Sequence, residues 1–428
     1  MEYRKHLTED ILPFWLEHAI DEEYGGIFAQ LDREGHVYGT DKSGWFQGRA
    51  LYIFSLAYNS GVKDERLLAA ADRIFNFLPR CGDDAFRMGF ILAQDGTPIE
   101  KRKYWFSETF AAIGCCEYWL ATGDERAKVW AENYFDVAYS LYEAPKTIQT
   151  GALHELSPCM ILLSTAHVLR KIDAAKYDAI AAAMTKDVLL HWTEKGLLEN
   201  VSPDGDFVDT PTGRIVNPGH ALEAAWFLMV QGELADDPTL VEMAMRIIDK
   251  AMEYGLAPDG GILTFRDCSD KPTAYLEWDM KKWWPQCEAM LATKMCYLKT
   301  KEPRFLAWYT QVERYVETHF IDYAYGEWFG YLHYDGTVAN PVKGNFGKGP
   351  FHIPRMLLLL EKMDELAEKG EKLQILQYPQ RRQQQNDGET ARLLRRFYAR
   401  LQGRPCLPCV RGGVKIKDFD GGVVEIRR

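Results

Sequence analysis

The sequence lacks any long apolar run. No stretch approaches the ~18 consecutive apolar residues that a membrane-spanning helix needs. The first residues, MEYRKHLTED, are mostly polar and lack the apolar core of a signal peptide. We therefore expect a cytoplasmic protein that is neither secreted nor bound to a membrane.

Cysteine supplies no structural framework. The nine cysteines are odd in number and scattered, and Cys115 and Cys116 are adjacent in a helical stretch. This usage is typical of reduced cysteine in the cytoplasm. Cys406 and Cys409 form a C-x-x-C without a second pair, and a structural zinc needs four ligands, so we expect no zinc site there.

Positive charge is outnumbered by negative charge, with 51 Lys and Arg against 62 Asp and Glu. The formal net charge of −11 argues against nucleic acid as a partner. From Gly370 to the end there are 13 Lys and Arg and 6 Asp and Glu, a net charge of +7, so the remainder carries −18. We predict a catalytic domain over 1–370 and a basic, partly disordered extension over 371–428, with a short helix at 389–402 and strands at 413–426.

The sequence does contain a repeated pattern. Turn signals lie between short runs with strand character at 32–35, 94–96, 203–205, 267–270 and 334–336. Asp-Gly or Glu-Gly in this setting indicates a β-hairpin, because glycine accepts a positive φ. Each turn precedes an apolar stretch with helical spacing, and a sixth such stretch follows a loop. They cover 46–59, 107–121, 157–169, 217–231, 285–298 and 351–363.

Amphipathic stretches alternate with these apolar helices. They cover an N-terminal segment and residues 64–78, 125–142, 173–194, 239–255 and 304–320. Helices that are apolar nearly all round should be buried, whereas amphipathic helices should keep one face in water. Six inner and six outer helices predict an all-α (α/α)6 barrel, a toroid with short β-hairpins at one mouth. A linear solenoid is the alternative, because a repeat period does not show closure.

The first turns of the inner helices should line one pocket, since every hairpin precedes an inner helix. They carry Arg49, Glu108, His220, Glu223, Glu288, His352 and Arg355, beside Trp45, Phe46, Trp105, Trp283, Trp284 and Phe351. A helix cap or a satisfied core pair explains any one of these polar residues equally well. Their recurrence in five helices favours a functional site, because unpaired burial of polar groups is costly.

Two histidines suggest the chemistry of this pocket. His220 and Glu223 share a helix face, and His352 and Arg355 repeat that spacing. Histidines on opposite sides of a pocket suit proton removal next to a carbonyl, because an imidazole pKa near ~6.5 allows both acid and base roles. Arg49 and Arg355 are suited to stabilise the oxygen that becomes negatively charged.

Three other interpretations of these residues remain open. The histidines with Glu223 and Glu288 contain metal-ligand types, but the sequence has no H-E-x-x-H spacing there, and we predict no metal. The carboxylates could instead serve as the acid and base of a glycoside hydrolase, although that chemistry does not need two histidines. A binding module without catalysis is the third interpretation.

An ordered set of motifs carries a family resemblance between Leu12 and Met363. The motifs are DEEYGGIF, WFQGRA, FSETFAA, ENVSPDG, GRIVNPGHALEAAWF, WDMKKWWPQCEAM, YGEWFGYLHYDGTV and KGPFHIPR. In these motifs the chain resembles the N-acylglucosamine 2-epimerase family, which includes renin-binding protein. The resemblance implies an (α/α)6 barrel and the interconversion of N-acetyl-D-glucosamine and N-acetyl-D-mannosamine by inversion at C2.

The resemblance also implies residue roles. The family's acid/base histidines fall on His220 of NPGH and His352 of FHIPR. Its substrate-binding residues fall on Arg49, Glu223, Glu288 and Arg355. Family members are often homodimers, need no cofactor for the chemistry and can be activated by ATP without hydrolysing it. The sequence has no Walker motif that would locate an ATP site.

The chain departs from the family at two places. Gln286 stands where some members carry histidine, and the segment after about Glu371 has no counterpart. The exact sugar is the open question, since related barrels act on mannose or cellobiose. An aldose–ketose isomerase, which returns the proton to C1, and an epimerase of another sugar are therefore the alternatives.

Overall fold

The computed structural model describes residues 1–101, 105–144, 153–273 and 275–376, together with the backbone of 414–417 and 423–426. Its helices are α1 (Tyr3–His6), α2 (Leu12–His18), α3 (Gly44–Asn59), α4 (Glu65–Phe77), α5 (Phe106–Thr122), α6 (Glu125–Glu143), α7 (Leu156–Leu169), α8 (Ala174–Leu190), α9 (Pro218–Ala235), α10 (Pro238–Gly255), α11 (Trp283–Thr300), α12 (Pro303–Tyr315) and α13 (His352–Glu368). A π-helical turn joins α1 to α2, and another follows α12.

The strands are short. They are β1 (Gln30–Leu31), β2 (Val37–Gly39), β3 (Lys42–Ser43), β4 (Ile91–Leu92), β5 (Pro98–Glu100), β6 (His154–Glu155), β7 (Trp192–Thr193), β8 (Gly196–Leu197), β9 (Asn200–Val201), β10 (Ile215–Val216), β11 (Arg266–Asp267), β12 (Lys281–Lys282), β13 (Tyr331–Leu332), β14 (Val338–Asn340), β15 (Val414–Lys417) and β16 (Val423–Ile426).

The helices form a closed double ring, which confirms the predicted (α/α)6 barrel and excludes the solenoid. The inner helices α3, α5, α7, α9, α11 and α13 each pack on the next, and α13 packs on α3. The N-terminal helices complete the outer ring, where Arg4 donates a hydrogen bond to Glu361 of α13 at 2.9 Å. The core lies between the rings and holds nearly all buried apolar side chains.

Glycines allow the inner helices to pack closely. A Cβ atom on Gly48 of α3 would lie 2.4 Å from the backbone nitrogen of Ala111 in α5. A Cβ atom on Gly114 of α5 would lie 2.6 Å from the carbonyl oxygen of Gly48. The two backbones therefore meet where any side chain would separate them. This contact fixes the helix that carries Arg49.

Links from inner to outer helices are short and capped. Between α5 and α6, Gly123 has a φ of 75°, which ends the first helix, and the Asp124 side chain accepts a hydrogen bond from the backbone of Arg126. Asp237 caps α10 in the same way after Asp236, at the end of α9. With two to five residues each, the inner-to-outer links offer little chain from which to build a site at this end of the barrel.

Links from outer to inner helices are long, and they contain strands β1 to β14. Antiparallel pairs join successive links around the mouth: β3 with β4, β6 with β9, β10 with β11, and β12 with β13. A bridge between Leu31 and Gly344 joins the first link to the last. Strand pairing therefore joins neighbouring links at five of the six junctions around the mouth.

Three of the five predicted hairpins are confirmed and two are wrong. The turns at 32–35, 94–96 and 334–336 join β1 to β2, β4 to β5 and β13 to β14. The strand before 203–205 pairs with β6, and the strand at 267–270 pairs with β10. In both places pairing between neighbouring links replaces the local hairpin.

Lysine–aspartate pairs brace the long links. Lys42, for example, lies fully buried and donates hydrogen bonds to Asp21 at 2.6 Å and to two backbone carbonyls. The same pairing recurs in three further links: Lys101 with Asp83, Lys281 with Asp259, and Lys343 with Asp322. Lys42, Lys281 and Lys343 also donate hydrogen bonds to backbone carbonyls, so their ammonium groups hold the loops at the mouth in place.

In the C-terminal extension, β15 and β16 pair antiparallel within the predicted strand region 413–426. The predicted helix at 389–402 lies outside the described residues. Within the described part of the chain, no helix combines the length and apolar character needed to cross a membrane.

Candidate active site

A cavity of about 300 Å³ opens at the mouth, the end of the barrel that carries the long links, and runs down the centre of the barrel. It is lined by side chains from all six inner helices. Those that carry ionisable groups are Arg49, His220, Glu223, Lys282, His352 and Arg355. Aromatic side chains surround them, among them Trp45, Phe110, Trp283, Trp284 and Phe351.

His352 is the first residue of α13, and its ring is fixed from behind. Its Nδ1 lies 2.7 Å from Oε1 of Glu288, which is fully buried in the second turn of α11. A carboxylate accepts at this site, so Nδ1 carries the proton and Nε2 is the basic nitrogen. The other Glu288 oxygen accepts a hydrogen bond from the indole of Trp226 at 2.8 Å.

Its surroundings make His352 a neutral imidazole. Burial lowers the pKa of His352 well below the ordinary 6.5, and the nearby guanidinium of Arg355 lowers it further. Glu223 acts in the opposite direction but does not offset these effects. At neutral pH the ring is therefore ready to accept a proton.

His220 is held by the start of α9. Asn217 caps this helix by accepting a hydrogen bond from the backbone of His220 at 3.2 Å, and Pro218 occupies the first turn. The Nδ1 of His220 lies 2.8 Å from Oε1 of Glu199, a residue of the link between β8 and β9.

His220 is biased toward the protonated form. Burial alone would lower its pKa, but the charge and hydrogen bond of Glu199, with help from Glu223 and Glu288, raise the pKa above 6.5. The two histidines of the pocket therefore have opposite tendencies. Such a split is what an acid and a base acting in one step require.

Trp284 lies between the two histidines. Its ring centroid is 5.2 Å from that of His220 and 5.8 Å from that of His352. A flat indole between two imidazoles offers a platform on which a sugar can rest.

Arg49 is a buried cation for which the described residues supply no anionic partner. Its guanidinium carbon lies 4.0 Å from the ring centroid of Phe110 and 4.7 Å from that of Phe351, and Trp45 is also close. Its Nε has no hydrogen-bond partner among the described residues. Burial and the charge of Arg355 lower the pKa of Arg49 to about 9. The side chain therefore favours a ligand oxygen that carries negative charge.

Arg355 joins two carboxylates that lie in the second turns of their helices. Its Nη2 donates to Glu223 at 2.8 Å and to Glu288 at 2.7 Å. Glu223, Glu288 and His352 have ligand atoms within 4.8 Å of one another, the arrangement of a candidate metal site. The guanidinium of Arg355 already bonds to both carboxylates. The cation that these oxygen atoms hold is therefore the arginine side chain rather than a metal ion.

The structure brings the predicted acid/base and arginine residues to one cavity. Glu288 lies directly behind His352 rather than in the cavity wall. Glu108 is a correction to the predicted first-turn set: it accepts a hydrogen bond from the backbone of Met88 and pairs with Arg87. Phe46 and Trp105 are likewise absent from the lining.

Gln286 has a structural role. Its amide accepts a hydrogen bond from the backbone of Ile262 at 2.8 Å and donates one back at 2.9 Å. Gln47 of α3 clamps Ile27 with the same pair of bonds. The departure from the family at position 286 therefore lies outside the cavity.

Sequence reasoning missed Glu199, because candidates were sought only at helix starts. The motif ENVSPDG begins with this residue, and an acidic residue that opens a family motif in a loop was a usable signal. The reasoning also missed the wall supplied by α7, where Ser157, Met160, Ile161 and Ser164 face the cavity.

Known proteins share this sequence and fold. The sequence model of the N-acylglucosamine 2-epimerase family matches residues 26–353. The human N-acylglucosamine 2-epimerase is 36% identical over 375 residues, which span 82% of this chain and 87% of the human protein.

Solved structures with the same fold include two sugar isomerases. A cellobiose 2-epimerase from Bacillus thermoamylovorans superposes with a TM-score of 0.73 at 22% identity, covering 86% of this chain and 98% of that one. A D-mannose isomerase superposes with a TM-score of 0.75 at 18% identity, covering 84% and 97%. With the family match over most of the barrel, these findings show that the chain belongs to the N-acylglucosamine 2-epimerase family.

Proposed function

We propose that this chain interconverts N-acetyl-D-glucosamine and N-acetyl-D-mannosamine by removing and replacing the proton at C2. The observation that carries the proposal is the pair of histidines of opposite protonation, placed on either side of Trp284. The relative of highest identity named above, the human protein, is called N-acylglucosamine 2-epimerase, which supports the choice of an N-acylated sugar.

The reaction acts on the open-chain sugar. Neutral His352 takes the C2 proton through Nε2, and the electron pair of the C–H bond forms the C1–C2 double bond of an enolate. Protonated His220 then donates its proton to C2 from the opposite face. The product is inverted at C2, and the charges of the two histidines are exchanged. Since the reverse reaction uses the same residues in swapped roles, the site serves both directions.

The enolate oxygen needs a cation, and Arg49 is suited to supply it. Arg355, Lys282 and His220 have carboxylate partners, in Glu223, Glu277 and Glu199 respectively. Arg49 has no such partner among the described residues, but Glu288 also pairs with Arg355, so four carboxylates match the four cations and the site is close to neutral overall. That balance fits a neutral sugar whose O1 becomes negative in the transition state, and it does not fit a sugar phosphate, which carries its charge throughout.

Cavity size also favours a single sugar. The volume of about 300 Å³ lies at the lower end of the range for small-molecule sites. One N-acylated hexose occupies most of such a space. A disaccharide has to extend out of the mouth.

The glycoside hydrolase alternative conflicts with the carboxylate geometry. Glu223 and Glu288 bind the same Nη2 of Arg355, so they lie on one side of the site. A hydrolase needs its two carboxyl groups on either side of the scissile bond. Glu108, the other predicted candidate, is engaged with Met88 and Arg87.

Activation by ATP, assembly into a homodimer and a cytoplasmic location stay predictions that depend on the family resemblance. Enzyme activity with and without ATP, and the mass in solution, are the measurements that address the first two.

Exchange of the C2 hydrogen tests the proposed function. We expect N-acetylmannosamine in D2O to yield N-acetylglucosamine with deuterium at C2, observed by NMR. With mannose as the substrate, deuterium at C1 of the ketose product would support an aldose–ketose isomerase instead. If neither product nor exchange is found, the N-acyl assignment is wrong, and mannose and then cellobiose are the substrates to try.

A further inference from the structure

The cavity continues below the level of the histidines. His220 and His352 lie within the first three residues of their helices, and Arg49 and Arg355 lie about one turn deeper. The deepest lining residues come from the third turns of α5, α7 and α9. These residues, which we call the floor, are Ile113, Ser164, Thr165 and Phe227. Helix geometry places the floor roughly 10 Å below the histidines along the barrel axis.

The floor differs in chemistry from the levels above it. It contains no ionisable side chain, and Ile113 and Phe227 are apolar. The hydroxyl of Thr165 already donates to the carbonyl of Ile161 at 2.7 Å. Ser164 has no hydrogen-bond partner among the described residues, so its hydroxyl is available to a ligand. The floor thus offers apolar contact and one hydroxyl.

The proposed reaction fixes how the sugar enters. C2 must lie between the histidines, and O1 must reach the arginines one turn deeper, so the C1–C2 end of the sugar is inserted first. The carbons from C3 to C6 carry hydroxyls and extend to the open mouth, where Lys282 and Tyr331 lie. The substituent on C2 is then the group nearest the floor, and its acyl methyl is the apolar group of the substrate.

We infer that the floor receives the N-acyl group of the substrate and sets the length of acyl chain that the enzyme accepts. Ile113 and Phe227 contact the acyl carbon chain, and the Ser164 hydroxyl bonds to the amide. This inference rests on the proposed function and adds the specificity determinant to it. A blind apolar pocket discriminates by chain length, because a methylene that does not fit costs about tenfold or more in kcat/KM.

Two variants change the floor in opposite directions. Ile113→Ala enlarges it, and Ser164→Leu fills it. The measurement is the kcat/KM of each variant for N-formyl-, N-acetyl- and N-butanoylmannosamine, expressed as ratios between substrates. A ratio does not depend on the fraction of folded enzyme, so a loss of stability does not mimic the effect. We expect Ile113→Ala to raise the butanoyl-to-acetyl ratio about tenfold or more, and Ser164→Leu to lower the acetyl-to-formyl ratio by a similar factor.

Two controls match these changes. Ile247→Ala deletes the same atoms from a buried position in α10, outside the cavity, and should leave all ratios as in the wild type. Ser164→Ala removes the hydroxyl without filling the floor, so it should weaken all three substrates together. If the wild type converts N-acetylmannosamine and neither floor variant changes the ratios, the inference is wrong while the proposed function stands. If the wild type converts no N-acylhexosamine, both fail.

Discussion

The two histidine–carboxylate pairs of the cavity are built from different kinds of structure. His352 and Glu288 lie on adjacent inner helices, and Glu288 has no exposed surface. His220 begins an inner helix, but its partner Glu199 lies in a link at the mouth and keeps 15% of its side chain exposed. The two pairs therefore have similar side chains at similar distances, yet the pKa of His352 is lowered and the pKa of His220 is raised.

The difference lies in the other charges that surround each histidine. Burial lowers the pKa of His352, and the guanidinium of Arg355, which also binds Glu288, lowers it further, so this histidine stays neutral. Burial also lowers the pKa of His220, but the hydrogen bond and charge of Glu199, with the charges of Glu223 and Glu288, outweigh burial and favour the imidazolium. A proton acceptor and a proton donor can thus be made from one motif by changing the surrounding charges.

Removing either histidine should have the largest effect. We expect His220→Asn and His352→Asn each to reduce epimerisation by about 10²–10⁴-fold, because each removes one of the two proton carriers. Hydrogen exchange at C2 should separate the two variants. His220→Asn keeps the neutral base and should still exchange the C2 hydrogen of one epimer, whereas His352→Asn should exchange much less. Equal exchange in both variants would contradict the assigned asymmetry.

Glu288→Gln should have the next largest effect. An amide cannot accept from Trp226, His352 and Arg355 together, so the tautomer of His352 is no longer fixed. We expect kcat to fall about 10²-fold or more and the free energy of unfolding to fall by about 3 kcal/mol, because the buried charge of Arg355 loses a partner.

Glu233→Gln is the matched control for this variant. Glu233 is a buried carboxylate at the far end of α9 that pairs with Lys299. The Glu233→Gln variant should lower the free energy of unfolding without a specific loss of kcat. A Glu288→Gln enzyme with full kcat would show that Glu288 does not position His352.

Arg49→Lys should affect both directions of the reaction alike. Lysine keeps the charge but loses the planar group that lies against Phe110 and Phe351, so its ammonium will not hold the same position. We expect kcat/KM to fall by about 10²-fold for either epimer. A loss confined to one epimer would place Arg49 with one histidine rather than with the shared enolate.

Glu199→Gln should give the smallest effect and the clearest pH signature. For the epimer that His352 deprotonates, activity requires protonated His220 and is lost as the pH rises through its raised pKa. Removing the charge of Glu199 lowers that pKa, so the alkaline limb of the pH–rate profile should move to lower pH, with about a tenfold loss at neutral pH. Asp209→Asn, at an exposed residue of the same link, should leave the profile unchanged. An unmoved alkaline limb in Glu199→Gln would refute its effect on His220.

The sequence predicts most of the fold because each helix is recognisable by itself. The apolar stretch at 107–121 became α5 (Phe106–Thr122), and the amphipathic stretch at 239–255 became α10 (Pro238–Gly255). Strand pairing is harder to predict, because β10 and β11 pair across an intervening helical hairpin. A turn signal such as 203–205 reports local chain reversal and not the partner of a strand.

In the candidate site, too, residues with a local sequence signal were predictable and contacts between distant segments were not. His220, His352, Arg49 and Arg355 were predictable because they interrupt apolar helices. Glu199 was not, since its contact with His220 depends on how a loop folds over the mouth. Glu108 shows the opposite error: it interrupts an apolar helix to hold the backbone of Met88, a partner that only the folded chain reveals.

The contact between α1 and α13 bears on circular permutation of the chain. Because Arg4 bonds to Glu361, the two ends of the barrel segment lie side by side. A short linker can join them, and new ends can be opened in the link at Asp236 and Asp237, away from the cavity. The barrel thus has no required starting helix, and a circularly permuted chain should form the same cavity.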